Sequence, residues 1–227
     1  MALVKGKAQQ TSAKQGESEG ADVFLRALRD GSMVLADWKQ AAVMGGFGFM
    51  THTGAFSTGV AGGGSAAVID ADRPNFTLSI PDGISVVPLR IGVHVITGAP
   101  ADANELEILI AVDVNQAMAT AGTATADTIY NMNTLASRAS TCIARDTYSA
   151  TLGADPSLEL ELARKVLIYD LVSTGTIGVI MDLVYEPQNP PIINGPAALY
   201  VHFGGAAAST GYVDATWLEF TESTFSV

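Results

Sequence analysis

The sequence is short of most things that catalytic and membrane proteins need. Only one cysteine is present among 227 residues, Cys142. That excludes an internal disulfide framework and any multi-thiolate metal site, and it suits a protein made in a reducing cytoplasm. Charged residues make up 15%, against roughly a quarter in ordinary soluble domains, and aromatics 7%. No apolar run approaches the roughly 20 residues of a membrane helix. Met1 to Gly20 has no apolar core, so it does not read as a secretory leader.

Sequence signatures of chemistry are missing in the same way. The three histidines, His52, His94 and His202, are never one, three or four residues apart, so none forms a local metal pair. His94 stands as Val93-His94-Val95, without the His-x-His of a cupin. Gly45-Gly46-Phe47-Gly48 and Gly62-Gly63-Gly64-Ser65 match neither the dinucleotide fingerprint nor the phosphate loop. No G-x-S-x-G elbow occurs. Asp70-Ala71-Asp72 has the spacing of a calcium loop but runs into Arg73-Pro74, and reads as a solvated turn. Glu105, Glu107, Glu159 and Glu161 fit the solvent face of alternating strands better than a glycosidase pair. Asn75-Phe76-Thr77 is a glycosylation sequon by coincidence, and Cys142 reads as a buried small hydrophobe. Tyr212 and Trp217 have opposite strand parity, so they make no carbohydrate platform. The expectation is no catalytic residues, no cofactor and no metal: not an enzyme.

The net charge is −11 and unevenly spread. Residues 1–16 hold Lys5, Lys7 and Lys14 and no acid, whereas residues 40–227 hold six basic and eighteen acidic side chains. An acidic body repels phosphate, so the main domain is not expected to bind nucleic acid, nor any segment to enter a membrane. Residues 1–22 are rich in Gln, Ser, Lys, Gly and Glu. Such a segment gains order when something outside its own domain holds it, which makes it a candidate arm onto a neighbour.

After the arm, Asp22 can cap a short helix from Val23 to Asp30, ended by Gly31, and a second is expected from Ala36 to Val43, halted by Gly45 and Gly46. From Phe47 onward the hydrophobic period is two. Phe76, Leu78 and Ile80 share a face. Pro81-Asp82-Gly83 then makes a turn, with Pro presetting φ and Gly accepting φ > 0. Val87, Leu89, Ile91, Val93 and Val95 oppose Arg90, Gly92 and His94, and Pro88 calls for a sheet edge or a bulge. Leu106, Ile108, Ile110, Val112 and Val114 follow, then Leu158, Leu160 and Leu162. Next come Ile177, Val179, Met181, Leu183 and Tyr185, then Leu199, Val201 and Phe203, and a last strand from Tyr212 to Phe220. Seven or eight strands, each with one apolar face, and long loops at 54–74, 115–127, 146–156 and 186–196 predict an all-β fold. The best fit is an antiparallel β-sandwich of jelly-roll type over 46–227, preceded by an extended N-terminal arm over 1–45 with one or two short helices.

At the level of architecture the chain resembles the jelly-roll capsid decoration or cement proteins of tailed phages. Asp30-Gly31-Ser32 followed by Ala36-Asp37-Trp38, ahead of a β-rich body, also resembles small uncharacterised proteins of marine and freshwater phages. The resemblance implies a virion structural protein on the capsid surface, made in the host cytoplasm. Its implied partners are itself, as a homotrimer, and a major capsid protein reached through the arm 1–45. A genome-packaging shell protein would want a more basic arm, and a tailed-phage major capsid protein a long spine helix. A jelly-roll major capsid protein and a ligand-binding module, lectin-like or at a fibre tip, are the alternatives.

Overall fold

A computed structural model describes residues 37–55, 57–62, 69–97, 105–114, 124–148, 151–153, 155–168, 181–205 and 209–224. The arm over 1–22, the helix expected at Val23–Asp30, and Ile177 and Val179 lie outside these residues.

Among the described residues one helix, α1 (Trp38–Met44), precedes thirteen strands. Asp37 begins α1 in extended geometry, with its side chain accepting from Lys39 N at 3.4 Å. That cap moves the start two residues beyond the expected Ala36. The glycines end the helix as expected: Gly45 N donates to Ala41 O, and Gly46 takes φ +80°.

Eight strands have five or more residues: β1 (Gly48–His52), β3 (Phe76–Ile80), β4 (Ile84–Thr97), β5 (Glu105–Asp113), β9 (Leu160–Ile168), β10 (Met181–Tyr185), β12 (Ala197–Gly205) and β13 (Thr210–Thr221). Five are shorter: β2 (Val60–Ala61), β6 (Thr125–Ala126), β7 (Tyr130–Asn131), β8 (Ile143–Asp146) and β11 (Ile193–Asn194). One sheet runs β10-β4-β13-β1-β7, with β11 also on β4 and β2 on β13. The other runs β6-β8-β3-β12-β5-β9. Every pairing is antiparallel. The Pro81–Gly83 turn, with Gly83 at φ +76°, carries the chain from β3 in one sheet to β4 in the other.

The two sheets face one another across a single main core. Phe76, Leu78 and Ile80 of β3, Ile108 and Ile110 of β5, and Leu199, Val201 and Phe203 of β12 meet Ile91, Val93 and Val95 of β4 and Val213, Ala215 and Trp217 of β13. The period-two faces read from the sequence for Phe76–Ile80 and Leu199–Phe203 are these faces, and the fold is an all-β sandwich. Pro88 sits at a bulge, since Thr216 pairs with Arg90 but Trp217 pairs with Pro88. On its other side β10 stops opposite Ile91 and β11 begins opposite Val86, so the proline falls where neither pairs.

Three expected faces are altered. In β4 the bulge beside Pro88 reverses the period, so Ile91, Val93 and Val95 face the main core while Val87 and Leu89 pack on the other side with Leu218 and Phe220. Val114 lies past the end of β5 and is exposed. The Leu158–Leu162 strand begins only at Leu160, and a bulge places Ala163 opposite Ile110 but Glu161 opposite Ala111. The extra residue, Leu162, and Ala163 then both pack against the core, while Leu160 is exposed.

Candidate functional site

The polar side chains gather in four places, each set up by strand pairing. The first is the open outer face of the seven-stranded sheet. His94 of β4 is directly opposite Asp182 of β10, and its Nδ1 lies 2.9 Å from Asp182 Oδ1. Its Nε2 lies 3.2 Å from Asp214 Oδ1 on β13. Arg90, four residues earlier on β4, pairs with the other oxygen of Asp214. Gly92 lies between them in sequence and opposite Asp214 in register, and a Cβ there would run into the Asp214 carboxylate. The missing side chain is therefore the seat that lets one carboxylate reach both Arg90 and His94. The result is a chain of charge across three strands, Asp182–His94–Asp214–Arg90, half-exposed throughout.

The second place is Glu219, which β13 points inward and which is fully buried. Its Oε1 accepts from Thr141 N at 2.8 Å and its Oε2 from Ser140 Oγ at 2.7 Å. Arg138 donates to the Glu219 carbonyl at 3.1 Å and lies over the Phe47 ring, 4.3 Å from its centroid. The carboxylate thus anchors the segment before β8. Burial and the adjacent Glu219 push the Cys142 thiol well above its usual range, which makes it an inert core group.

The third is Asp127 with Asp146. Asp146 is buried and accepts from Gly54 N at 3.0 Å. Asp127 Oδ2 is enclosed without a partner. Burial first, and then the neighbouring Asp146, raise the Asp127 carboxyl to about 7.

The fourth is His202, on the outer face of the six-stranded sheet. Its Nε2 donates to Ala71 O at 3.1 Å, its Nδ1 is enclosed without a partner, and burial lowers it to about 4. The ring is a neutral packing group. Beside it, Asp72 is raised, chiefly by its contact with Asp70, which Arg73 approaches at 3.7 Å.

The three histidines are not brought together. His52 is exposed on β1 opposite Asp214, His94 is on β4, and His202 belongs to the other sheet. Among the described residues no group of three or more His, Cys, Asp or Glu could hold a metal ion. Arg164 lies between Glu107 and Glu161 and binds both, which occupies the carboxylates that a glycosidase would need free. Glu159 accepts from Ser157 Oγ at 3.2 Å. Asn75 of the sequon is buried, donates to Ala61 O at 2.8 Å and accepts from Phe203 N at 2.6 Å, so no sugar can reach it. Trp217 is in the core, while Tyr212 faces out, as their parity requires. Asp214 was not singled out by sequence reading. The available signal was its parity with Tyr212 and Thr216, opposite Val213, Ala215 and Trp217.

Among the described residues no helix is long and apolar enough to cross a membrane. The chain matches no family model, and neither the curated proteins nor the solved structures returned a match.

Proposed function

We propose that the chain is a jelly-roll virion protein that decorates and cements the head of a tailed phage. The observation that carries this reading is the strand order. The eight long strands divide between the sheets as β1-β13-β4-β10 and β3-β12-β5-β9. That order supports a double Greek key, a module that recurs in viral shells. Two further features support a building-block role. The buried and half-buried carboxylates are largely engaged in tying strands to one another, as with Glu219, Glu107 and Asp214. Among the described residues the nine-residue strand β9 ends its sheet and pairs only with β5, which supports an edge used by a neighbour.

In this reading the protein forms a homotrimer and reaches the major capsid protein through residues 1–45. Its action is mechanical: added interface holds capsomers together against the pressure of packed genome. Light scattering of the full chain tests the trimer, which requires three times the 23.5 kDa chain mass. Immunogold labelling of intact virions tests the location. A monomer at every concentration removes the trimer, and virions free of label remove the capsid role.

A further inference from the structure

The order of the six-stranded sheet gives one connection a long way to travel. β8 ends at Asp146 and β9 begins at Leu160, and β3, β12 and β5 lie between them. Four steps from strand to strand are about 19 Å. The described residues of 147–159 meet the outer face of the sheet on each of those three strands in turn. Tyr148 Oη lies 2.5 Å from Thr77 Oγ1 on β3. Leu152, 4% exposed, packs on Ala198 and Tyr200 of β12. Ser157 N donates to Asp113 Oδ2, at the end of β5, at 3.0 Å. Thr77, Ala198, Tyr200 and Asp113 all have the parity opposite to the core residues beside them, yet all four are buried.

This covering is held differently from the strands under it. β12 is laddered to β3 on one side and to β5 on the other. The connection is fastened at points instead: the Tyr148 and Ser157 contacts, and Leu152 N donating to Asp72 O at 2.8 Å. It also begins on strain. Thr147 takes φ +49°, and among the described residues it is the one non-glycine with a positive φ. A β-branched side chain is a poor fit to that region. We propose that residues 147–159 are a strap that opens as one unit about Thr147 while the sandwich stays folded, uncovering Ala198 and Tyr200 of β12. Point anchors without a ladder can give way at a free energy below that of global unfolding. Opening also releases the strain at Thr147, which biases the strap toward the open state. The inference does not rest on the capsid reading, since it holds equally for a monomer.

Native-state hydrogen exchange of the full chain supplies the test, read at the Leu152 and Ser157 amides against the ladder amides of β12. Both strap amides should exchange about a hundredfold faster than the ladder, at rates that low urea leaves unchanged, because a local opening exposes little surface. Leu152→Ser should speed exchange at Ser157, and Asp113→Ala should speed it at Leu152, each by about tenfold, since a unit that has lost one anchor holds less well at the next. Thr147→Asn, which adopts the left-handed region more readily, should slow both amides by about threefold. The urea midpoint of each variant separates strap opening from loss of the fold. Asp113 is buried, so if Asp113→Ala does not fold, Leu152→Ser decides alone. Strap amides that exchange only with the ladder, and with its dependence on urea, overturn the proposal. So does a Leu152→Ser chain in which exchange at Ser157 is unchanged, because the anchors then open separately. Unchanged rates in Thr147→Asn overturn the hinge at Thr147.

Discussion

Strand β13 presents two kinds of outer surface within seven residues. At Asp214 and Thr216 the face is open, and the carboxylate is shared by Arg90 and His94. At Leu218 and Phe220 the same face is buried with Val87 beneath Ala42, Val43 and Phe47. Backbone and pairing are the same, and only the cover differs. α1 lies over one end of the sheet and leaves the other to water. Burial energy therefore accumulates at the covered end, and the open end is held by charges whose net value in water is small.

Leu218→Ala is the strongest attempt to break that contrast. Leu218 is fully buried between the sheet and α1. Its truncation should cost about 3 kcal/mol, the usual penalty for a leucine removed from a packed site. The midpoint of urea unfolding measures it. A cost below about 1 kcal/mol, the level of an exposed ion pair, would mean that α1 contributes no real cover.

Glu219→Ala compares two carboxylates on one strand, one buried and one open. Removing the Glu219 carboxylate leaves Ser140 Oγ and Thr141 N without their acceptor and opens a hole beside Cys142. About 2–3 kcal/mol is expected, from unpaired polar groups plus lost packing. Amide exchange at Thr141 should speed up more than exchange in β4, because the anchored segment is what loosens.

Much of this was legible in the sequence, and the reason is period two. Strand parity gave the core faces of β3, β5 and β12, the Ile91-Val93-Val95 half of the β4 face and the polar row Arg90-Gly92-His94, but the bulge beside Pro88 put Val87 and Leu89 on the opposite side. Parity could not give register. Nothing local says that Asp214 lies opposite Gly92, or that a glycine on an outer face makes room for a carboxylate. Cover was equally hidden. Leu218 and Phe220 fall on the solvent side by parity, and only α1 explains their burial. The short strands β2, β6, β7, β8 and β11 were also missed, because two to four residues carry no period, and β7 and β8 pair with β1 and β3, more than fifty residues away. Glu219 shows the converse failure. It points inward by parity and is charged, a conflict that the remote Arg138, Ser140 and Thr141 relieve.

Acid and base should act oppositely on two enclosed groups of the six-stranded sheet, Asp127 beside β6 and His202 on β12. Asp127 is raised from 3.8 to about 7, so its folded form holds a proton that the unfolded chain releases. Its contribution is present below pH 3.8 and is lost as pH rises through 7. His202 is lowered from 6.5 to about 4, so its contribution is present above pH 6.5 and is lost as pH falls toward 4. Asp127→Asn should therefore raise the melting temperature at pH 8 relative to the unmodified chain, raise it less at pH 5, and leave it unchanged only below pH 3.8. A gain of roughly 2–4 °C corresponds to about 1 kcal/mol in a domain of this size, a value already reduced for the partial exposure of Asp127. His202→Gln should flatten the fall on the acid side. Thermal unfolding at pH 5, 6.5 and 8 separates the two, and a slope at pH 7–8 that survives Asp127→Asn assigns it elsewhere.

The smallest effect is expected at the open end. Asp214→Ala removes the shared carboxylate and should cost at most about 1 kcal/mol, because Arg90, His94 and Asp182 all keep access to water. Gly92→Ala should cost a similar amount by a different route, since its Cβ would displace the same carboxylate from its seat. The two losses should not add. Once Asp214 is gone, the space above Gly92 is empty on that side, and alanine is the better strand residue. In the Asp214→Ala background, Gly92→Ala should then be neutral or slightly stabilising. A double-mutant cycle reads this directly. Simple additivity would mean that the glycine is there for the backbone of β4, and that the carboxylate merely leans over it.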